Sequence, residues 1–437
     1  MTAKEPKEKA LAPDELRAAR AALARARGRK RLDVVLESRD PRALVRALPA
    51  DELYLTIRDI GLGDAAALVQ LASAAQFKVF LDLEAWSRDV FDPRKALPWL
   101  RAARAGAHLE PKAAARWARK LAALDREVLF LVLRDALVLH DLEVDPDPEF
   151  ASDRFMRTPE GKYVIEFTVE GVEYAAVRGL LDDLFAEDPF QATRLLSAIR
   201  SELPSELEET ALRWRAGRLA DLGWPSLDEA RSWFSRPPRS AAHAPGPPAR
   251  PAGFFLATLA SGSPLDRAAA RLPPEAAEAV EVQIVAAANA VLVADAVDPG
   301  DVDAVRSAFE AARGYLELGL EKLAGRDEAR AAEVLAATPV KRIFQEGFGR
   351  VLELSWRAQR VLEKAGPEAR LGSPLDEVLA ALVSKRPRYF PGLDAPRAEW
   401  GTVRAAAHEP RRFRSSEDLA RTEEALALAE ARIAARG

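Results

Sequence analysis

Two stretches of this chain, LPADELYLTIRDI at 48–60 and LDREVLFLVLRDA at 124–136, repeat one amphipathic helical pattern. At an offset of 76, Leu53, Leu55, Ile57, Arg58 and Asp59 fall on Leu129, Leu131, Leu133, Arg134 and Asp135. A weaker copy, LASAAQFKVFLDL at 71–83, follows the first at an offset of 23. Short helices with one apolar stripe bury it only against neighbours of the same kind. The expected fold is therefore mainly α, with a helical-repeat-like block at 40–234 that offers an extended outer surface. Leu-rich amphipathic helices also resemble one another by chance, which would leave the helices without the repeat.

Composition excludes several chemistries. There is no cysteine among the 437 residues, so disulfides, thiolate catalysis and cysteine-ligated metal are ruled out. The four histidines (His108, His140, His243 and His408) sit in four different neighbourhoods, and no local metal motif forms. No metal and no cofactor is expected. Net charge is −4, and arginine outnumbers lysine 51 to 13 along the whole chain, so no single patch is enriched.

The first 39 residues read as a basic helical arm. Residues 1–31 hold ten basic and four acidic side chains but few large apolar ones, which predicts a frayed, solvated helix. It is also the segment with the charge to reach nucleic acid, although it lacks aromatics for stacking on bases. The start, MTAKEPKEKA, has no apolar signal core, and the apolar run 282–297 carries Gln283, Asn289 and Asp295. That run reads as a short buried helix with no membrane span, and a cytoplasmic location is expected.

Alternation of Phe155, Tyr163, Ile165, Phe167 and Val169 marks a small β-hairpin inserted near 154–174. Before it, HDLEVDPDPEF (140–150) alternates acids in a calcium-like way. Pro146 and Ser152 stand where an EF-hand needs Gly and Glu, so a solvated connector is expected. The Pro-rich run 235–253, including His243, reads as an extended linker to a second helical domain at 254–384. A charged segment at 385–437 closes the chain. GSPLD at 262–266 and again at 372–376 reads as Ser N-cap, Pro at the first helical position and Asp closing a capping box. Gly347 and Gly349 inside helix 339–365 cost stability unless a neighbouring helix comes close. Asn289 in its apolar helix either fixes register or pairs with Asp295.

The charge sorting in SELPSELEETALRWRAGRLADLGWP (201–225) is mostly helix making. Ser205 and Glu208 match a capping box, Glu209 and Arg213 an i,i+4 pair, and Gly223 a left-handed C-cap, with Ser226 and Glu229 starting the next helix. Two arginines are left over. At about 100° per residue, Arg215 and Arg218 fall inside the apolar arc with Trp214, Ala211 and Leu219. A buried guanidinium needs partners. Either acids such as Asp182, Asp183 or Glu187 supply them, or Arg215, Arg218 and Trp214 form a semi-buried site for a phosphate or carboxylate.

The segments LPADELYLTIRDIGLGDA (48–65), FLDLEAWSRDVFDPRKALPWL (80–100), ELPSELEETALRWRAGRLADLGWP (202–225) and NAVLVADAVDPGD (289–301) resemble the uncharacterised bacterial domain of unknown function 6178 family. That family has no activity to transfer. More distantly, 44–136 is similar to the helical repeats of the magnesium-transporter N-terminal domain and the flagellar motor-switch proteins, by fold-level analogy alone. No nucleotide-binding loop, HExxH or GxSxG motif is present, and no catalytic residue is assigned. The function expected is a scaffold or regulatory protein with a protein partner. The alternative is an enzyme or small-anion sensor using Arg215 and Arg218.

Overall fold

The structure, a computed structural model, describes residues 12–236, 262–366, 370–402 and 408–435. The Pro-rich run from 237 to 253, with His243, and residues 1–11 of the basic arm lie outside the described residues. The fold is mainly α with two small sheets. Two compact units divide the chain, Met1–Leu222 with Asp298–Val302 and Gly223–Val297 with Asp303–Gly437.

Unit 1 begins with α1 (Pro13–Arg25), α2 (Arg29–Leu36), α3 (Pro41–Ala47), α4 (Ala50–Ile60), α5 (Ala66–Leu71) and α6 (Ala74–Glu84). Local chemistry sets several starts. Asp40 accepts the Ala43 N–H at the head of α3, and Ser73 with Gln76 closes a capping box on α6. The first long repeat segment forms α4, and the weaker copy lies mostly in α6. The core joins α4, α6 and α7 (Pro93–Arg104): Tyr54 stacks on Trp99 at 5.3 Å, and Phe80 meets Trp99 at 5.4 Å. Between α6 and α7, β1 (Trp86–Ser87) pairs with β2 (Val90–Phe91).

From α1 onward the basic segment is docked, contrary to the solvated helix expected. Leu23 is fully buried, Arg20 pairs with Glu52 at 3.1 Å, and Arg31 lies 3.1 Å from Asp59. Both acids belong to α4, so the arginines that made this segment look solvated instead attach it to the fold.

Next come α8 (Pro111–Ala123) and α9 (Arg126–Arg134), the latter formed by the second long repeat segment. β3 (Leu137–Asp141), β4 (Phe155–Arg157) and β5 (Tyr163–Phe167) make an antiparallel sheet in the order β3-β5-β4. The hairpin arms β4 and β5 fall where alternation placed them. β3 is an unexpected third strand, too short for its own alternation to show against the preceding helix. In the following loop Glu143, Asp145, Asp147 and Glu149 are exposed, as expected of a connector. Asp141 departs from that pattern, being buried and bonded by Arg200. No group of three or more potential metal-ligating side chains occurs among the described residues. α10 (Gly171–Glu187), α11 (Pro189–Ser201) and α12 (Pro204–Asp221) complete the unit.

Unit 2 opens with the Leu227–Trp233 helix, whose Ser226–Glu229 capping box forms as expected. Ser263 and Asp266 likewise cap Pro264–Ala269. The second GSPLD is different, because its helix starts at Leu375 with Pro374 in the N-cap position. Asp376 there turns back to accept the N–H groups of Leu371 and Gly372. The Val302–Ala324 and Val340–Ala365 helices cross in close contact at glycines. A Cβ on Gly347 would stand 1.9 Å from the Tyr315 carbonyl oxygen, and one on Gly319 would stand 1.9 Å from that of Ile343. Gly349 has nothing within 4 Å, so only Gly347 is explained by the neighbouring helix.

The apolar run at 282–297 belongs to a longer helix than expected, Pro274–Asp295. By length and composition alone this helix suffices to cross a membrane, and 50% of its most apolar window is buried inside the protein. Asn289 donates to the Gly223 carbonyl at 3.3 Å and does not pair with Asp295, which instead holds Arg386 and Arg412.

Candidate functional site

The strongest sequence candidate centred on α12, where the structure keeps the expected ion pair and terminal turn but not the capping box. Pro204 occupies the first helical turn and Leu203 is the N-cap, so Ser205 and Glu208 form no capping box. Glu208 instead accepts the Phe91 N–H at 3.0 Å, tying α12 to the β1–β2 hairpin. Glu209 and Arg213 do pair, at 3.3 Å on the exposed face. Gly223 follows the helix with φ +76°, the left-handed turn a glycine takes without strain.

Arg218 points inward and makes three charge-assisted hydrogen bonds. Its Nε and Nη2 grip Asp82 of α6 at 2.6 and 2.9 Å, and its Nη1 reaches Asp125 at 2.7 Å. Lys78, one turn before Asp82, binds the other oxygen of Asp125 at 2.6 Å. Arg215 donates from Nε to the Asp82 backbone carbonyl at 2.7 Å and lies over the Trp86 ring at 5.5 Å. Its Nη1 reaches the Arg88 carbonyl at 3.4 Å. Arg218 and Lys78 thus meet two carboxylates, while Arg215 is held by backbone carbonyls.

The electrostatics follow from this packing. Burial pushes the Asp82 carboxyl up from its ordinary value, against the pull of Arg218 and then Arg215. Burial pushes Arg215 down, with Asp82 opposing. Arg218 ends above its ordinary value because its bonds to Asp82 and Asp125 outweigh its own desolvation. A recess lined by Lys78, Asp82, Trp86, Phe91, Asp125 and Arg218 has room for about one water molecule.

Trp214 is not brought to this recess; it is 58% exposed on the outer side of α12. The face that is buried or half-buried runs through Ala211, Arg215, Arg218, Leu219 and Leu222. On the helical wheel that arc is centred near 70°, which leaves Trp214, at about −20°, on its rim. Nor do the acids named from sequence serve Arg215 or Arg218. Asp183 binds Arg104 and the Trp117 indole N–H, at 2.5 and 2.7 Å, Asp182 pairs with Arg178, and Glu187 is exposed. Asp82 and Asp125 were missed. The available signal for Asp82 was a lone acid in the otherwise apolar VFLDL; Asp125 gave none, because an aspartate before a helix reads as an N-cap, a role its side chain does not take.

A second surface stands out on the three-stranded sheet. Register places Val138, Glu166 and Phe155 in one row across its outer face. Phe155 is 50% exposed and stacks on Phe150 at 4.7 Å, while Phe150 meets the His140 ring edge-on at 5.2 Å. Beneath them His140 Nε2 contacts Glu166 at 3.0 Å, and Glu166 accepts the Ser152 N–H at 2.6 Å. These bonds hold Glu166 below its ordinary value although its burial opposes them.

A family model described as a family of unknown function, DUF6178, matches residues 7–434. No curated protein and no solved structure matches the chain, so the likeness of 44–136 to transporter and motor-switch repeats remains an analogy.

Proposed function

The chain belongs to the DUF6178 family, of unknown function, and from that premise we propose that it is a scaffold or regulatory protein that docks a protein partner on the outer face of its β3-β5-β4 sheet. The exposed stack of Phe155 on Phe150, in line with exposed Val138, carries this reading. Large apolar side chains gathered on one solvent-facing sheet surface favour a partner that covers them. Each aromatic ring gains on the order of 2 kcal/mol when buried. The His140–Glu166 pair below supplies a polar element that fixes the aromatics above it.

The alternative, an enzyme or small-anion sensor built on Arg215 and Arg218, draws less support. Asp82, Asp125 and backbone carbonyls already satisfy both arginines, and the recess beside them is the size of a water. Affinity purification of the tagged chain with mass spectrometry, beside Phe155→Ser and Arg215→Gln, tests the choice. Docking on the sheet predicts a stoichiometric protein lost from Phe155→Ser and kept by Arg215→Gln. A partner kept by Phe155→Ser would sink the proposed face.

A further inference from the structure

Between residues 138 and 155 the chain leaves Val138, Val144, Phe150 and Phe155 exposed. Val138 and Phe155 lie on the two outer strands of the β3-β5-β4 sheet, and Phe150 belongs to the loop that joins β3 to β4. That loop is tied down at both ends. The Leu142 N–H donates to the carbonyl of Lys162, the residue before β5, and the Ser152 N–H donates to Glu166 within β5. The loop therefore stays with the sheet and holds Phe150 against Phe155 at 4.7 Å.

The same loop carries the charge of this face. Glu143, Asp145, Asp147, Glu149 and Asp153 are exposed, and no lysine or arginine occurs from 141 to 153. Glu143 has Lys162 at 3.4 Å, and Asp153 has Arg154 at 3.7 Å, an arginine that also serves Glu170. Asp145, Asp147 and Glu149 meet no cation among the described residues. Asp145 shapes the loop by accepting the Asp147 N–H at 3.3 Å, whereas the Asp147 and Glu149 carboxylates bond nothing among the described residues. Exposed Arg157, two residues after Phe155 on β4, opposes them alone, so the surround of the aromatic stack is negative. Such a surface repels the phosphates of nucleic acid and of anionic lipid.

We propose that the partner docked on this face presents a cationic apolar segment, with large apolar side chains flanked by lysine or arginine. The inference rests on the docking reading above and adds the partner's chemistry to it. Phe150, Phe155 and Val138 receive the apolar side chains. Asp145, Asp147 and Glu149 meet the cations at the rim, where complementary charge sets partner choice and association rate.

Fluorescence anisotropy of a labelled leucine–lysine peptide with the full chain, beside a leucine–glutamate counterpart, tests it. Saturable binding of the lysine peptide is expected. Asp145→Asn, Asp147→Asn and Glu149→Gln together should weaken it at least about fivefold, as should raising NaCl from about 0.05 to about 0.5 M. These residues are exposed, and Asp145→Asn keeps an acceptor for the Asp147 N–H, so the loop is preserved. Glu206→Gln, Glu209→Gln and Asp221→Asn together remove the same charge from exposed positions of α12 and should bind like the wild type. No saturable binding of the lysine peptide would overturn the proposal, as would wild-type affinity in the loop variant or an equal loss in the α12 variant. Failure of the docking face itself reads differently, because Phe155→Ser would then bind the lysine peptide like the wild type, and both readings would fall. A glutamate peptide bound through Phe155 would keep the face and overturn the cationic partner. Self-association of the chain that Phe155→Ser abolishes would do the same, by making a second copy the occupant.

Discussion

Replacing Arg218 by alanine removes three charge-assisted hydrogen bonds and leaves Asp82 with its carboxylate in the interior. Asp82 is 2% exposed, so water cannot take the place of the lost guanidinium. Breaking a buried pair from one side costs about 3–5 kcal/mol. The Arg218 side chain retains 23% exposure, and Asp125 still has Lys78, which puts the expected loss at the lower end, about 3 kcal/mol. Urea unfolding followed by circular dichroism measures it as a shift in the transition of unit 1. Removing both charges, with Asp82→Leu and Arg218→Met together, should cost less than Arg218→Ala alone, because no uncompensated charge remains. A cost under about 1 kcal/mol for Arg218→Ala, or a double variant that is the worse of the two, would show that Arg218 does not neutralise a buried charge.

Other consequences are as direct. Gly347→Ala drives a Cβ against the Tyr315 carbonyl and should destabilise unit 2 by about 1–3 kcal/mol in thermal or urea unfolding. Gly349→Ala, in open space on the same helix, should be stabilising by up to about 1 kcal/mol. Trp214→Ser should leave stability within about 0.5 kcal/mol, since the ring is mostly solvated. Lys120 sets a pH dependence: its amine titrates near 7 when folded but near its ordinary value, about 10.4, when unfolded. Between those values the unfolded chain binds the extra proton, so stability rises with pH. Relative to Lys120→Met, the wild type should gain up to about 1.4 kcal/mol per pH unit between about pH 7.5 and 9.5, and equal slopes in urea unfolding would contradict this.

What was legible in the sequence was local. The Ser226–Glu229 and Ser263–Asp266 boxes, the turn at Gly223 and the arms of the hairpin are each decided within a few residues, and they formed. Gly347 announced a close helix approach, although not which helix came close. The misreadings arose where a distant partner outbid a local one. Glu208 sits three residues after Ser205, as a capping box requires, but Pro204 takes the first turn and the carboxylate goes to Phe91. The inward direction of Arg215 and Arg218 followed from helical periodicity, but Asp82 and Asp125 lie 136 and 93 residues from Arg218. No spacing rule reaches that far. The basic segment looked solvated because its charges were counted without Glu52 and Asp59, which α4 presents to it.

Partner binding through the outer face of the sheet is the role we propose for this protein. Its most direct measurement is the dissociation constant of the purified partner for the wild type and for Phe155→Ser, with the melting temperatures of both. Phe155→Ser should bind at least about tenfold more weakly with little change in melting temperature, because Phe155 is half exposed and its loss leaves the core intact. Equal affinity for the two proteins would contradict it.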